Sequence, residues 1–178
     1  GKKLMFMGQE FGQFIEWNYE QGLDWLLLGY ERHTQLQNYF RKINEFYKNT
    51  PAFWQIDYSW EGFYWISSDD VDNSVIAFVR RDEKEREIVC VCNFTPVHRE
   101  NYKIGVSRSG TYEVVFNSDD EEFGGEGKGS KGKIKSVKKP LHSFENSIAL
   151  DLPGNSVIYL KAPNKRKPKS TNKSSKEA

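Results

Sequence analysis

Leu4-Met5-Phe6-Met7-Gly8-Gln9-Glu10-Phe11-Gly12-Gln13 decides how the rest of the chain is read. Four apolar residues in a row, stopped by glycine, read as a short buried strand ending in a loop. Folds of the α/β class place their chemistry at such strand ends. Residues 9–29 then run without periodicity and carry Gly12, Trp17, Asn18, Gly22, Asp24, Trp25 and Gly29. Compact domains rarely keep so long an aperiodic stretch unless it is functional. Within it, Leu26-Leu27-Leu28 reads as a single helical turn. From 30 to 49 the period changes: Leu36, Tyr39, Phe40, Ile43, Phe46 and Tyr47 share one helical face, while Arg41, Lys42, Glu45 and Lys48 take the other. Thr50-Pro51 stops this helix, because proline disfavours the α region for the residue before it. A strand, a loop and a long amphipathic helix make one β/α unit.

The texture changes again after about residue 55. Short strands are predicted over 63–66, 74–80, 87–94, 101–106, 111–117, 147–152 and 156–161, separated by turn signals such as Asp72-Asn73, Ser109-Gly110 and Pro153-Gly154. Strands at this spacing without intervening helices predict an antiparallel sandwich. Ile88-Val89-Cys90-Val91-Cys92 is apolar on both alternating faces, which marks a central strand. The fold class is therefore an α/β fragment plus an all-β sandwich. Residues 163–178 are rich in Lys, Asn, Ser and Pro and are predicted to be a disordered basic tail.

Composition narrows the function. The formal net charge of +1 gives no global electrostatic case for nucleic acid. No apolar run reaches the ~18 residues of a membrane span, and residues 1–7 are too short an apolar stretch for a signal peptide. The chain opens without Met and directly in a buried-looking strand, which suggests a piece of a larger protein. Cys90 and Cys92 are neighbours two apart on one strand face, too close for easy disulfide geometry, and read as reduced core thiols of a cytoplasmic protein. No Cys or His cluster accompanies them, so no metal site is expected. Gly127-Lys128-Gly129-Ser130-Lys131-Gly132 matches a dinucleotide fingerprint in letters only. It lacks the strand before it and the helix after it, so no cofactor follows and the stretch reads as a mobile loop. Sequons at Asn93-Phe94-Thr95 and Asn172-Lys173-Ser174 matter only in a secreted protein.

Five Trp, nine Tyr and twelve Phe suit a β-rich core, and they also suit a sugar-binding surface. Trp54, Trp60, Tyr64 and Trp65 are the residues to place: a row on one exposed face favours a glucan-binding module, and burial of all four leaves a scaffold. Glu10, Glu16, Glu20 and Asp24 crowd the strand end, and paired carboxylates are what glycoside chemistry requires. Spacing alone does not bring any two of them face to face. His33, His98 and His142 stand apart from any Ser or Cys motif, so a nucleophilic triad has no support.

Several stretches together resemble bacterial 1,4-α-glucan branching enzymes of the α-amylase clan. They are the opening decapeptide, Glu16-Trp17-Asn18, Leu23-Asp24-Trp25, Glu61-Gly62-Phe63-Tyr64-Trp65-Ile66, Asp72-Asn73-Ser74-Val75, Val91-Cys92-Asn93-Phe94-Thr95-Pro96-Val97, Tyr102-Lys103-Ile104-Gly105-Val106 and Asn117-Ser118-Asp119. The resemblance covers residues 1 to about 161. It implies that residues 1–52 are the end of a catalytic (β/α)8 barrel, with its eighth strand, loop and helix, and that 53–162 are the C-terminal sandwich. The implied activity is transfer of an α-1,4-glucan segment to a 6-hydroxyl, making an α-1,6 branch in glycogen. The implied partners are α-glucan and the missing N-terminal barrel. The family's three catalytic carboxylates lie on earlier barrel strands, and none maps onto this chain. No catalytic residue is carried over, and the chain alone is expected to be inactive. What remains is a rim role for the eighth loop, with Gln9, Glu10, Gln13 and Trp17 shaping or supporting the donor-glucan cleft. Two alternatives stand beside this reading: a glucan-binding or structural β-module, and another enzyme of the clan such as a trehalohydrolase.

Overall fold

A computed structural model describes residues 3–165. One helix, α1 (Glu31–Asn49), precedes eight strands: β1 (Phe63–Asp70), β2 (Val75–Arg81), β3 (Glu87–Asn93), β4 (Arg99–Val106), β5 (Thr111–Asn117), β6 (Lys133–Lys135), β7 (Asn146–Leu152) and β8 (Ser156–Lys161). They form a six-stranded sheet in the order β1-β2-β3-β8-β5-β6 and a two-stranded sheet, β4-β7. All neighbours are antiparallel. The strand period of two sorts side chains between the faces. Val75, Ala77 and Val79 of β2, Val89 and Val91 of β3, and Ile158 and Leu160 of β8 point inward. They meet Ile104 and Val106 of β4 and Ile148, Leu150 and Leu152 of β7 in one core. As its two apolar faces predict, β3 is central, lying between β2 and β8.

The other face of β3 is covered too. Ile88 and Cys90 lie under Ala52 and Phe53, which belong to a 3-10 turn, Pro51–Phe53, that follows α1. Helix α1 lies on the outer face of the large sheet, where Phe46 meets Phe116 and Tyr159, and Tyr39 meets Phe116 and Phe123 at ring separations of 5.4–5.9 Å. Yet no residue of α1 is fully buried. Its apolar stripe is wider than the sheet covers, and Phe40, Ile43 and Tyr47 line an apolar groove of about 490 Å³ with Met5 and Phe53.

One expectation is corrected and another refined. Residues 4–7 form no strand. They run alongside no other strand of the described chain, and a strand without a ladder leaves its N–H and C=O groups to other partners. Leu4 is accordingly 88% exposed. The glycine-rich run is a loop, as expected, but a braced one rather than a free one, folded around one carboxylate. Asp119 accepts from the backbone N–H of Glu126 (3.0 Å) and Lys128 (2.9 Å), and its carbonyl accepts from Gly127 N at 2.8 Å. β6 follows directly. Of the basic tail, Lys165 is described and pairs with Glu85 at 2.7 Å; residues 166–178, with the second sequon, lie outside the described residues.

The β1–β2 turn is tied to β4 by a polar knot. Asp70 accepts from the Tyr102 hydroxyl and from the Asn73 amide (2.8 and 2.9 Å), and Arg99 holds Asn73 Oδ1 at 2.6 Å. Burial works against the Asp70 carboxylate, but these donors and the Arg99 charge outweigh it and hold its pKa below the ordinary value. A folded pKa below the unfolded one adds stability above the ordinary carboxylate range. That stability is lost as pH falls through the lowered value. Melting temperature measured from about pH 6 down to about pH 2 should therefore drop more steeply for the wild type than for Asp70→Asn. Parallel curves would remove Asp70 from the acid response.

Candidate functional site

Residues 8–25 form a knot of backbone and side chain rather than an open loop. The 3-10 turn Gln9–Phe11 is bracketed by Gly8 (φ 85°) and Gly12 (φ 69°), both left-handed. Only glycine adopts these angles without cost, and a Cβ on Gly8 would stand 2.9 Å from Gln13 Cβ. The Gly8 carbonyl accepts from Gln13 N at 2.9 Å. Phe11 is completely buried, against Trp25 at 5.2 Å. From α1, His33 Nδ1 lies 2.6 Å from the Phe11 carbonyl.

The four residues singled out for the glucan cleft have different fates. Gln9 turns back, its Oε1 accepting from Phe6 N at 2.8 Å. Gln13 spends both ends of its amide on the knot: Oε1 accepts from Asp24 N (2.9 Å) and Nε2 donates to the Ile15 carbonyl (3.1 Å). Trp17 sets its ring edge-on to Phe6 at 5.7 Å. Glu10 is half-buried and makes no hydrogen bond or ion pair with another described residue. One uncommitted carboxylate on a braced turn can meet a ligand hydroxyl; two glutamines have become its frame. Of the other carboxylates, Glu20 accepts from the neighbouring Tyr19 hydroxyl at 3.2 Å. No group of three or more His, Cys, Asp or Glu among the described residues is placed to hold a metal ion.

Exposed rings also occur outside this knot. Trp54, Trp60 and Trp65 are 40%, 84% and 50% exposed. Tyr64 does not join them: one residue along β1 it faces inward, packs against the core, and donates its hydroxyl to Ser107 Oγ at 3.1 Å. Trp65 is held edge-on between Phe63 (5.0 Å) and Phe78 (5.8 Å) on the outer face. Alternation along Phe63-Tyr64-Trp65 contains this division, since every second residue shares a face; that Phe63 and Phe78 brace the Trp65 ring depends on cross-strand pairing, which sequence does not display. A ring braced from two sides is a stacking platform whose ordering cost is met before a ligand arrives.

Asn93 and the cysteines are structural. Asn93 is buried and donates to the Val97 and Pro153 carbonyls at 2.8 and 2.9 Å, while its Oδ1 accepts from Thr95 N (3.2 Å) and Thr95 Oγ1 (3.0 Å). A sequon with its amide spent in this way is not open to glycan transfer. Cys90 and Cys92 are free thiols. Burial pushes both upward, Cys92 to about 11, so neither is a ready thiolate.

Comparison with known proteins fits this architecture. The profile of the family described as "Alpha amylase, C-terminal all-beta domain" matches residues 65–163. The 1,4-alpha-glucan branching enzyme GlgB of Halothermothrix orenii is 47% identical over 165 residues, which are 92% of this chain and 26% of that one. Its counterpart from Aquifex aeolicus is 46% identical over 90% of this chain and 26% of its own, and one from Prochlorococcus marinus 45% identical over 90% and 22%. Among solved structures, an α-amylase from H. orenii aligns with 72% of this chain and 20% of its own at 23% identity and a TM-score of 0.46. The chain spans about a quarter of the length of the curated relatives it matches. With more than half of its residues under the family profile, and with the antiparallel sheets described above, the chain belongs to the α-amylase C-terminal all-β domain family.

Proposed function

We propose that this chain is the C-terminal part of a 1,4-α-glucan branching enzyme, which transfers α-1,4-glucan segments to a 6-hydroxyl to form α-1,6 branches. The observation that carries the reading is the relatives' identity of 45–47% through nine-tenths of this chain, over about a quarter of their own length. The distribution of apolar surface supports it. Leu4, Phe6, Met7, Phe14, Tyr19, Trp25, Leu26 and Tyr30, all within the first 30 residues, are half or more exposed. So large an apolar surface on one end of a chain marks a contact. In the intact enzyme, residues 1–52 are the eighth strand, loop and helix of a (β/α)8 barrel. Residues 53–162 are the sandwich and 163–178 a basic tail. The preceding barrel covers the apolar end, gives residues 4–7 a neighbouring strand, and fills the groove beside α1. Gln9 and Gln13 frame the eighth loop, Glu10 presents its carboxylate to the donor glucan, and Trp17 shapes the rim. Cytoplasmic placement is supported by the free thiols and the spent Asn93 amide; no helix among the described residues is long and apolar enough to cross a membrane.

A second role, as a glucan-binding surface of the same enzyme, is favoured by the exposure of Trp54, Trp60 and Trp65. A sugar face covering about 50 Å² of ring is worth roughly 1 kcal/mol at about 25 cal/mol/Å², about fivefold in affinity. Purified residues 1–178 run through a glycogen gel should be retarded, and Trp65→Ala should weaken retention by about that factor. The same chain incubated with amylose should leave the iodine colour unchanged, whereas the intact protein should shift it. Branching by the chain alone refutes the division of labour, and an intact protein without branching refutes the function.

A further inference from the structure

We infer that His33 is a positioning residue for the turn at residues 8–13: from the first turns of α1 it fixes the Phe11 carbonyl and thereby sets where Glu10 stands. This rests on the branching-enzyme reading for its consequence, but the geometry is independent of it. His33 Nδ1 lies 2.6 Å from a carbonyl oxygen, which can only accept, so the ring carries its proton on Nδ1 and donates. The contact joins residues 22 apart in sequence and is part-buried. The imidazole is braced from outside by Phe14, edge-on at 5.1 Å. One turn further along α1, Leu36 fills the space beside Gly12, whose absent Cβ would lie 2.9 Å from Leu36 Cδ2. His33 and Leu36 therefore clasp the two residues that close the turn, Phe11 and Gly12. Glu10 precedes them and has no described partner of its own to fix it. Its position is set by the turn that His33 ties to α1. Without the donor, the buried Phe11 ring and the Gly12 N–H bond to the Gln9 carbonyl (3.1 Å) still close the turn, but the Phe11 carbonyl loses its partner and the turn its polar tie to the helix, so Glu10 shifts with the turn as a whole.

The test uses the intact protein with His33→Ala and His33→Asn, since an asparagine amide places its N–H near the position of Nδ1. Two readouts are taken: hydrogen exchange of the peptides covering residues 8–25, and KM and kcat for branching of amylose. His33→Ala is expected to speed exchange in that segment about tenfold or more. It should also lower kcat/KM about tenfold, the lower part of the range for a misplaced group, with melting shifted by only about 2–4 °C, as for the loss of one hydrogen bond. His33→Asn should recover most of both. A global role would instead lower melting and exchange protection throughout the sandwich. Exchange that rises without any change in kinetics, kinetics that fall without rescue by Asn, or no change in exchange each overturns the assignment. An intact wild type without branching overturns the functional reading while the exchange arm still reports whether His33 holds the turn.

Discussion

Glu87→Ala should destabilise the protein by about 3 kcal/mol, the lower end for breaking a buried ion pair, and lower the melting midpoint by about 6–12 °C for a chain of this size. Glu87 begins β3 and is 2% exposed. Its Oε1 receives Arg81 through Nη2 (2.7 Å) and Nε (3.0 Å), and Arg108 Nη2 at 3.1 Å. Its Oε2 receives the Ser107 hydroxyl at 3.0 Å. Arg108 continues outward to the Pro163 and Glu85 carbonyls, and the Arg81 guanidinium lies 5.2 Å over the Tyr64 ring. One carboxylate thus joins β2, β3, the turn after β4 and the strand end beyond β8. Truncation leaves two guanidinium groups facing a void. Arg81 is a third exposed and recovers water, while Arg108 is 13% exposed and recovers little; with one of the two charges rehydrated, the loss falls at the low end of the range. Glu87→Gln, which keeps the shape and one acceptor, should cost about half as much. Urea denaturation of the three proteins checks the order, and equal stabilities would mean that the cluster is replaceable by solvent.

Asn93→Asp should cost about 3–5 kcal/mol near neutral pH, the range for an uncompensated buried charge. The change removes no volume, so the whole effect is chemical. The Asn93 amide nitrogen donates to two carbonyls, of Val97 and Pro153. A carboxylate oxygen in its place meets two acceptors with no proton to offer. Desolvation and the facing carbonyls raise the folded pKa of the new carboxyl above its unfolded value. The penalty is therefore small below the unfolded pKa of about 4 and grows as pH rises towards the folded one. Denaturation midpoints of variant and wild type should diverge with rising pH; a constant gap would show that geometry, not ionisation, is at fault.

Much of this architecture was legible in the residues. The spacing of Leu36, Tyr39, Ile43 and Phe46 predicted α1, and the double apolar face of Ile88 to Cys92 predicted that β3 would be internal. The split into a six-stranded and a two-stranded sheet was not legible, because pairing is decided between segments far apart in the chain. Residues 4–7 show the same limit: their apolar run reads as a strand, but a strand exists only where a neighbour offers a ladder. At the candidate site, residue type pointed to the turn but not to roles. Gln9 and Gln13 were readable only as residues shaping or supporting a cleft, and it takes the positions of Phe6 N, Asp24 N and the Ile15 carbonyl to show how their amides are spent within the knot. His33 looked isolated because its partner is a backbone atom, which no side-chain motif reveals.

The placement of β8 has a consequence for biosynthesis. The last strand among the described residues lies in the middle of the large sheet, paired with β3 on one side and β5 on the other. Until residue 161 has left the ribosome, β3 and β5 each wait with an open edge, and the halves of the sheet they belong to have nothing to join them. A domain of this connectivity cannot assemble progressively as it is translated. It closes late, through contacts of long sequence separation, which makes for slow folding and leaves unpaired strand edges exposed to wrong pairing in the meantime.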